Sequence, residues 1–312
     1  MPSLVAVVVL TWNRRDDTLA CLRSLAVLDH APLLTLVVDN GSVDGTAEAV
    51  AHAFPEVELI QNGENLGFAE GNNVGLRRAL ELGAAYVCLL NNDTEVEPGF
   101  VTALVDEAGR RPDAGALCSK VLFFEPPGVV WYAGARFDPR QGYNGRQRGF
   151  GERDDGRFES VVQTDRACAA SMLVPRAVLE RVGLLDPELF AYVEDTDWSL
   201  RARAAGLSLL VVPASRVRHR VSLSSGGESS PPTLYYNLRN TLRVCERHAP
   251  LGPFGTWRRR GVVLGVHVLQ ALLSSRRAEG LQAVVEGWRD FRRSRFGARG
   301  TQPRARGRRP AN

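Results

Sequence analysis

Val7-Val8-Val9-Leu10-Thr11-Trp12-Asn13-Arg14 is apolar at consecutive positions and then turns polar within a single step. The same switch recurs at Leu36-Val37-Val38-Asp39-Asn40-Gly41-Ser42 and at Tyr86-Val87-Cys88-Leu89-Leu90-Asn91-Asn92-Asp93-Thr94. A strand that is apolar on successive residues has both faces covered, which is the condition of a parallel sheet lying between helices. Between these runs lie helical patterns at residues 17–28, 46–54 and 69–82, the first with Leu19, Leu22, Leu25 and Ala26 on one face, and a further apolar run at 57–61. The βαβαβαβ rhythm predicts an α/β fold with a doubly wound, mostly parallel central sheet and flanking helices.

Beyond Val96-Glu97-Pro98 the pattern predicts a helix through Arg110 and a strand around residues 114–124. Residues 126–156, rich in Gly, Pro and Arg, read as turns, hairpin and mobile loop that cover a substrate. Helices at 176–182 and 195–205, a strand at 208–212, and helices from Thr233 and near Gly255 and Glu279 follow, with no order expected beyond Arg292. No repeat of fixed period is present, which excludes solenoids and propellers.

The 312 residues are 44% apolar and 24% charged, a globular composition that excludes collagen, coiled coil and wholesale disorder. The net charge of +4 conceals a polarity. From Leu251 onward 14 arginines face only Glu279, Glu286 and Asp290, a local +11, so residues 1–250 carry −7; Lys120 is the only lysine. A basic C-terminal region seeks an anionic surface, whether nucleic acid, lipid headgroup or acidic protein. Five widely spaced cysteines, Cys21, Cys88, Cys118, Cys168 and Cys245, suggest neither a disulfide framework nor a zinc site and read as reduced, buried thiols. The first residues lack the pattern of a signal peptide, and the protein is expected in the cytoplasm. The apolar stretch 261–273 would span only ~20 Å as a helix, too short for a hydrocarbon core of roughly 30 Å. Arg258-Arg259-Arg260 and Arg276-Arg277 flank it, an arrangement suited to lying on a membrane surface.

In parallel α/β sheets ligands bind beyond the carboxyl ends of the strands, and here every such end is polar. Each segment alone has the composition of an ordinary turn or helix cap, but together they converge on one rim. Asp39 could accept the ring N–H of a uracil or thymine while Thr11, Asn13 and Arg14 reach the same nucleoside or its phosphates. Asn91-Asn92-Asp93 places one carboxylate and two amide oxygens where Mg²⁺ or Mn²⁺ could bridge to a diphosphate, with His219 the candidate to complete the site. The densest cluster, Phe190-Ala191-Tyr192-Val193-Glu194-Asp195-Thr196-Asp197-Trp198, offers helix-start chemistry and also a general base, a carboxylate in a partly dry pocket with others nearby. The chain has neither a Walker-type Gly-x-x-x-x-Gly-Lys nor a strand-linked Gly-x-Gly-x-x-Gly, which argues against an ATPase or a dinucleotide enzyme.

Taken in order, these segments, together with Asn65-Leu66-Gly67-Phe68-Ala69-Glu70-Gly71-Asn72-Asn73, resemble the family-two glycosyltransferases of the GT-A fold, in the rhamnosyltransferase-like branch, over about residues 4–245. The resemblance implies an inverting transfer of a sugar, with a lean to rhamnose, from a dTDP- or UDP-linked donor to a glycan or polyprenyl-diphosphate-linked glycan of the cell envelope. It implies that Thr11, Asn13, Arg14, Asp39, Asn65, Gly67, Asn72, Asn73, Asn92 and Asp93 bind the donor. Asp195 matches the catalytic base, with Glu194 beside it, and Asp93 and His219 match the ligands of Mg²⁺ or Mn²⁺. Asp197, Trp198, Tyr235 and Arg239 fall on the acceptor side. Asn91 stands where many relatives have Asp, which lowers the negative charge offered to a metal, and Asn72 where other branches have Arg. The expected organisation is a catalytic domain at 1–220, an acceptor-side segment at 221–250, a basic helical region at 251–296 that holds the enzyme at an anionic inner leaflet, and a disordered Arg-rich tail at 297–312. Two alternatives stand beside this reading, a non-catalytic nucleotide-sugar-binding relative and a nucleic-acid-binding protein; against the latter, residues 1–250 are acidic and the tail has few interleaved aromatics, so no nucleic acid partner is expected.

Overall fold

The computed structural model describes residues 3–137, 142, 146–221 and 229–300. The elements run β1 (Val5–Thr11), α1 (Arg15–Leu25), β2 (Leu33–Asp39), α2 (Thr46–Ala53), β3 (Glu58–Gln61), α3 (Gly67–Glu81), β4 (Tyr86–Asn91), β5 (Thr94–Val96) and α4 (Phe100–Arg110). Next come β6 (Ala114–Phe123), β7 (Val130–Tyr132), β8 (Ala135–Arg136), β9 (Arg146–Gln147), β10 (Val162–Gln163), β11 (Ser171–Pro175), α5 (Arg176–Val182), α6 (Glu194–Ala204) and β12 (Ser208–His219). The chain closes with α7 (Pro231–His248), α8 (Pro253–Leu273) and α9 (Arg277–Arg292).

The main sheet has the order β10-β12-β6-β11-β4-β1-β2-β3, with β5 added to β12 and β7 to β6. The half built from β4, β1, β2 and β3 is wholly parallel, as the unbroken apolar runs require. β11 enters antiparallel between β4 and β6, and β12 then runs parallel to β6. β1 forms the centre of the core, Val5 through Val9 being fully inaccessible.

Helix α3 lies on β1 and β2 at a distance that only glycine permits. A Cβ on Gly75 would come within 2.3 Å of Val8 Cγ1, and one on Gly71 within 2.6 Å of Leu10 Cδ1. On α1 the buried face comprises Thr18, Cys21, Leu22 and Leu25. Ala26, expected on that face, is exposed because the helix ends at Leu25. All five cysteines are free and buried, and burial pushes the thiols of Cys21, Cys88 and Cys168 up to about 12, so they stay protonated and unreactive.

Two elements depart from the sequence expectation. The strand predicted to stop at Val212 continues to His219, because Pro213 falls in a break of register between Val212 and Arg216 that absorbs its missing N–H without ending the pairing. Inside that bulge Ser215 Oγ bonds Ser119 Oγ at 2.7 Å and the Phe100 carbonyl at 2.9 Å. Residues 297–300, expected to lack structure, lie against α7: Gly297 N donates to the Glu188 carbonyl at 2.6 Å, and Arg299 N to Tyr236 Oη at 2.8 Å. Residues 301–312 of the expected tail lie outside the described residues.

The α3 contact gives a direct test of this packing. Gly75→Ala is expected to lower the unfolding free energy by about 1–3 kcal/mol through overpacking. Gly109→Ala, in α4 with nothing within 4 Å of the new Cβ, is expected to raise it by about 0.5–1 kcal/mol, both read from urea titrations.

Candidate active site

The parallel register sets Thr11 beside Asp39, Leu10 beside Asn91 and Asp39 beside Gln61, so the strands of this half end at one level. The chain builds β1, β2 and β3 to one side and then returns to place β4 on the other side of β1. Such a switch point opens a crevice at the strand ends. Asn92 Nδ2 spans it, donating to Thr18 Oγ1 at 3.0 Å and Thr11 Oγ1 at 3.2 Å.

Asn13 and Arg14, both with left-handed backbone (φ 59° and 67°), turn the chain off β1. Asn13 then clasps the β2 loop, its N–H donating to Ser42 Oγ at 2.7 Å and its Oδ1 accepting from Val43 N at 2.9 Å. The buried Asp39 carboxylate accepts from Ser42 N at 3.1 Å. Several residues expected to touch the donor are engaged within the protein. Asn65 Oδ1 accepts from Asn40 Nδ2 and Gly67 N at 3.0 and 2.9 Å, and the buried Asn72 donates to the Phe68 carbonyl of its own helix at 2.8 Å. Asn73 exchanges two bonds with the Leu185 backbone, at 2.9 and 3.0 Å. Gly67 abuts the Phe190 carbonyl so closely that a Cβ would lie 2.5 Å from it. These four shape the crevice and fasten it to the loop before α6.

β5 pairs antiparallel with the far end of β12, setting His219 opposite Thr94. In consequence His219 Nε2 lies 2.9 Å from Asp93 Oδ1, with the Asn91 amide nitrogen at 3.4 Å. Burial works to raise the Asp93 carboxyl, but the hydrogen bond and charge of His219, with Arg14 nearby, hold it below the ordinary carboxylate range. Trp131 of β7 stands edge-on to the imidazole, ring centroids 4.8 Å apart, and His219 Nδ1 is buried with no hydrogen-bond partner. Trp131 carried no sequence signal, since only the β6–β7 pairing brings it here.

Helix α6 begins at Glu194 after a loop in which Phe190, Tyr192 and Val193 all have left-handed φ (63°, 66° and 72°). For a β-branched valine this is a rare and costly conformation. It is held from α7: Asn240 Nδ2 lies 2.8, 2.9 and 2.8 Å from the carbonyls of Leu189, Ala191 and Tyr192, and Arg239 Nη2 3.1 Å from that of Leu189. The loop delivers Asp195, which stays partly open to solvent, and Glu194, which is buried with Oε2 unpartnered. Burial, and then the Asp195 charge, push the Glu194 carboxyl up to about 8, so it is largely protonated at neutral pH. The Arg166 guanidinium interacts electrostatically with both carboxylates, a contribution invisible in the sequence because Arg166 sits in an irregular segment.

The four residues expected on the acceptor side are interior. Asp197 is wholly buried, ion-paired with Arg201, Arg247 and His248 at 2.8–2.9 Å, and its carboxyl is lowered to about 2 because these partners outweigh burial. Trp198 packs in the core with Nε1 on the Gly183 carbonyl. Tyr235 donates to Asp290 at 2.7 Å, and Arg239 spans the Gly297 and Leu189 carbonyls. Their polar atoms are spent tying α6, α7, α9 and the α6 loop together, which leaves none to face an acceptor.

Residues 6–177 match the family model described as Glycosyl transferase family 2, more than half of the chain. The chain belongs to this family. The glycosyltransferase is 29% identical over 277 residues to N-acetylglucosaminyl-diphospho-decaprenol L-rhamnosyltransferase of Mycobacterium tuberculosis, covering 83% of this chain and 88% of the relative. It is 26% identical to dTDP-rhamnosyl transferase RfbF of Shigella flexneri, covering 80% and 83%. Among solved structures its fold resembles GalNAc-T7 with UDP, GalNAc and Mn²⁺, at a TM-score of 0.63 and 18% identity, covering 78% of this chain and 48% of that one, so it spans about half of that protein's length.

The brace on the α6 loop makes Asn240 a positioning residue. Asn240→Ala is expected to lower kcat of the glycosyltransferase by up to about 100-fold through misplacement of Asp195, while the KM for donor changes little. Steady-state kinetics with a thermal melt of the variant check this split.

Proposed function

We propose that the glycosyltransferase moves rhamnose from dTDP-rhamnose to a hydroxyl of a polyprenyl-diphosphate-linked glycan, with inversion at the anomeric carbon. The observation that carries the reading is the meeting of Asp93 and His219 at the switch-point crevice that also holds Asp39. The names of the two relatives, of which the chain covers 88% and 83%, support the sugar, and that of the first supports the lipid-linked acceptor.

Asp39 accepts the ring N–H of thymine from its place at the end of β2, and the Asn13 and Arg14 turn closes over the nucleoside. A divalent cation, Mg²⁺ or Mn²⁺, fits the donor set of a carboxylate beside an imidazole whose Nδ1 is buried without a hydrogen-bond partner, although among the described residues no three His, Cys, Asp or Glu side chains gather. One carboxylate and one imidazole, Asp93 and His219, would hold it with the remaining positions left to diphosphate oxygens and water, the habit of hard cations at phosphate sites. When bound it supplies charge neutralisation to the departing diphosphate.

Asp195 takes the proton of the acceptor hydroxyl as that oxygen bonds the anomeric carbon and the bond to the diphosphate oxygen breaks. A single displacement of this kind inverts the centre. The Arg166 guanidinium interacts electrostatically with both carboxylates, and burial keeps Glu194 largely protonated beside Asp195.

Release of nucleoside diphosphate from a panel of dTDP-, UDP- and GDP-sugars tests this. Slow turnover of dTDP-rhamnose is expected, abolished by EDTA and restored by Mn²⁺ or Mg²⁺. Asp195→Asn is expected to lower acceptor-dependent turnover by about 10²–10⁴-fold with folding intact. Near-normal turnover by that variant contradicts the assignment of the base, and preference for a UDP- or GDP-sugar contradicts the donor.

A further inference from the structure

Helix α8 is buried on one side only. Arg259, Val263, His267 and Ala271, spaced four apart, face the protein, and the Arg259 guanidinium donates to the Ala249 carbonyl at 2.7 Å. The opposite face is apolar and open to solvent: Phe254 is 75% exposed, Trp257 73%, Leu269 57% and Leu273 77%, with Val262 and Leu272 also exposed. At about 100° per residue these side chains fall on one broad stripe along the helix. Soluble proteins rarely leave such a continuous apolar surface uncovered.

The charges around the stripe are mostly positive, the acidic Glu246 and Glu279 being paired with Arg260 and Arg276. Arg258 lies within it, Arg276 and Arg277 follow its C-terminal end, and Arg292, Arg293 and Arg295 are exposed at and beyond the end of α9. Between Leu251 and Gly300 ten arginines face three acidic residues, and each of those acids is engaged: Glu279 with Arg276, Glu286 with Arg299, and Asp290 with Tyr235. Exposed aromatic and aliphatic residues on a single helix face, bordered by arginines, are the chemistry of a helix that lies in the interface of a bilayer. No helix of the described residues is long and apolar enough to cross a membrane.

We propose that the exposed face of α8 docks the protein on an anionic bilayer, its apolar side chains entering the headgroup boundary and the arginines pairing with acidic lipid headgroups. The inference stands on this surface alone and does not depend on which sugar is transferred. It does account for how a crevice built by soluble elements meets an acceptor whose anchor is a lipid.

Co-sedimentation of the full chain with vesicles tests it, using phosphatidylcholine with and without 30 mol% phosphatidylglycerol as an experimental choice of composition (~30%, well above the threshold for a negative surface potential). The wild type is expected to bind the anionic vesicles at least about tenfold more tightly than the neutral ones, with binding weakened by salt. The exposed triple variant Trp257→Ser, Leu269→Ser, Leu272→Ser is expected to lose that binding while keeping its melting temperature and its release of nucleoside diphosphate. Equal binding to both vesicle types overturns the proposal, as does a triple variant that binds like wild type. A wild-type dimer in sedimentation equilibrium that the triple variant abolishes, without vesicle binding, assigns the face to a second copy of the chain and overturns it as well.

Discussion

The contact between His219 Nε2 and Asp93 Oδ1 joins the two ends of the molecule's logic. Asp93 belongs to the parallel half, at the tip of β4, and His219 to the last residue of β12, on the other side of β11 and β6. Only the short β5 ladder brings them together. The bulge at Pro213 and the Trp131 ring edge-on to the imidazole accompany the landing of this histidine beside the carboxylate. An isolated buried carboxylate would be costly, and the His219 imidazole is the partner that offsets this cost at Asp93.

The second constraint is backbone strain. Three residues without glycine's freedom, Phe190, Tyr192 and Val193, sit in the left-handed region just before Asp195. Each costs on the order of 1–3 kcal/mol, and such a loop persists only when its surroundings over-determine it. Asn240 and Arg239 do so by gripping its carbonyls, and Asp197 secures the same joint through Arg201, Arg247 and His248. Within the segment from Tyr235 to Asn240, it is Arg239 and Asn240 that hold this loop, and both are buried.

Much of this was legible in the sequence. Unbroken apolar runs ending in Asn, Asp and Ser specify parallel strands with a polar rim, at which Asp39 and Asp93 stand, while Asp195 opens helix α6. What was not legible depends on contacts distant in the chain. Asp197 and Arg239 look like surface charges until their partners, 50 residues away, are seen. The extension of β12 was hidden by Pro213, which ordinarily ends a strand; Arg166 lies in an irregular segment, and Trp131 in the three-residue strand β7, too short for periodicity to mark it.

The account turns on Asp93 and His219 serving a cation that carries the donor diphosphate, and binding of dTDP measured by titration calorimetry tests it most directly. Wild type is expected to bind dTDP at least about tenfold more tightly with Mn²⁺ than in EDTA, and Asp93→Asn, folded as judged by its melt, is expected to lose the difference. Equal affinity of the wild type in Mn²⁺ and in EDTA would contradict the account.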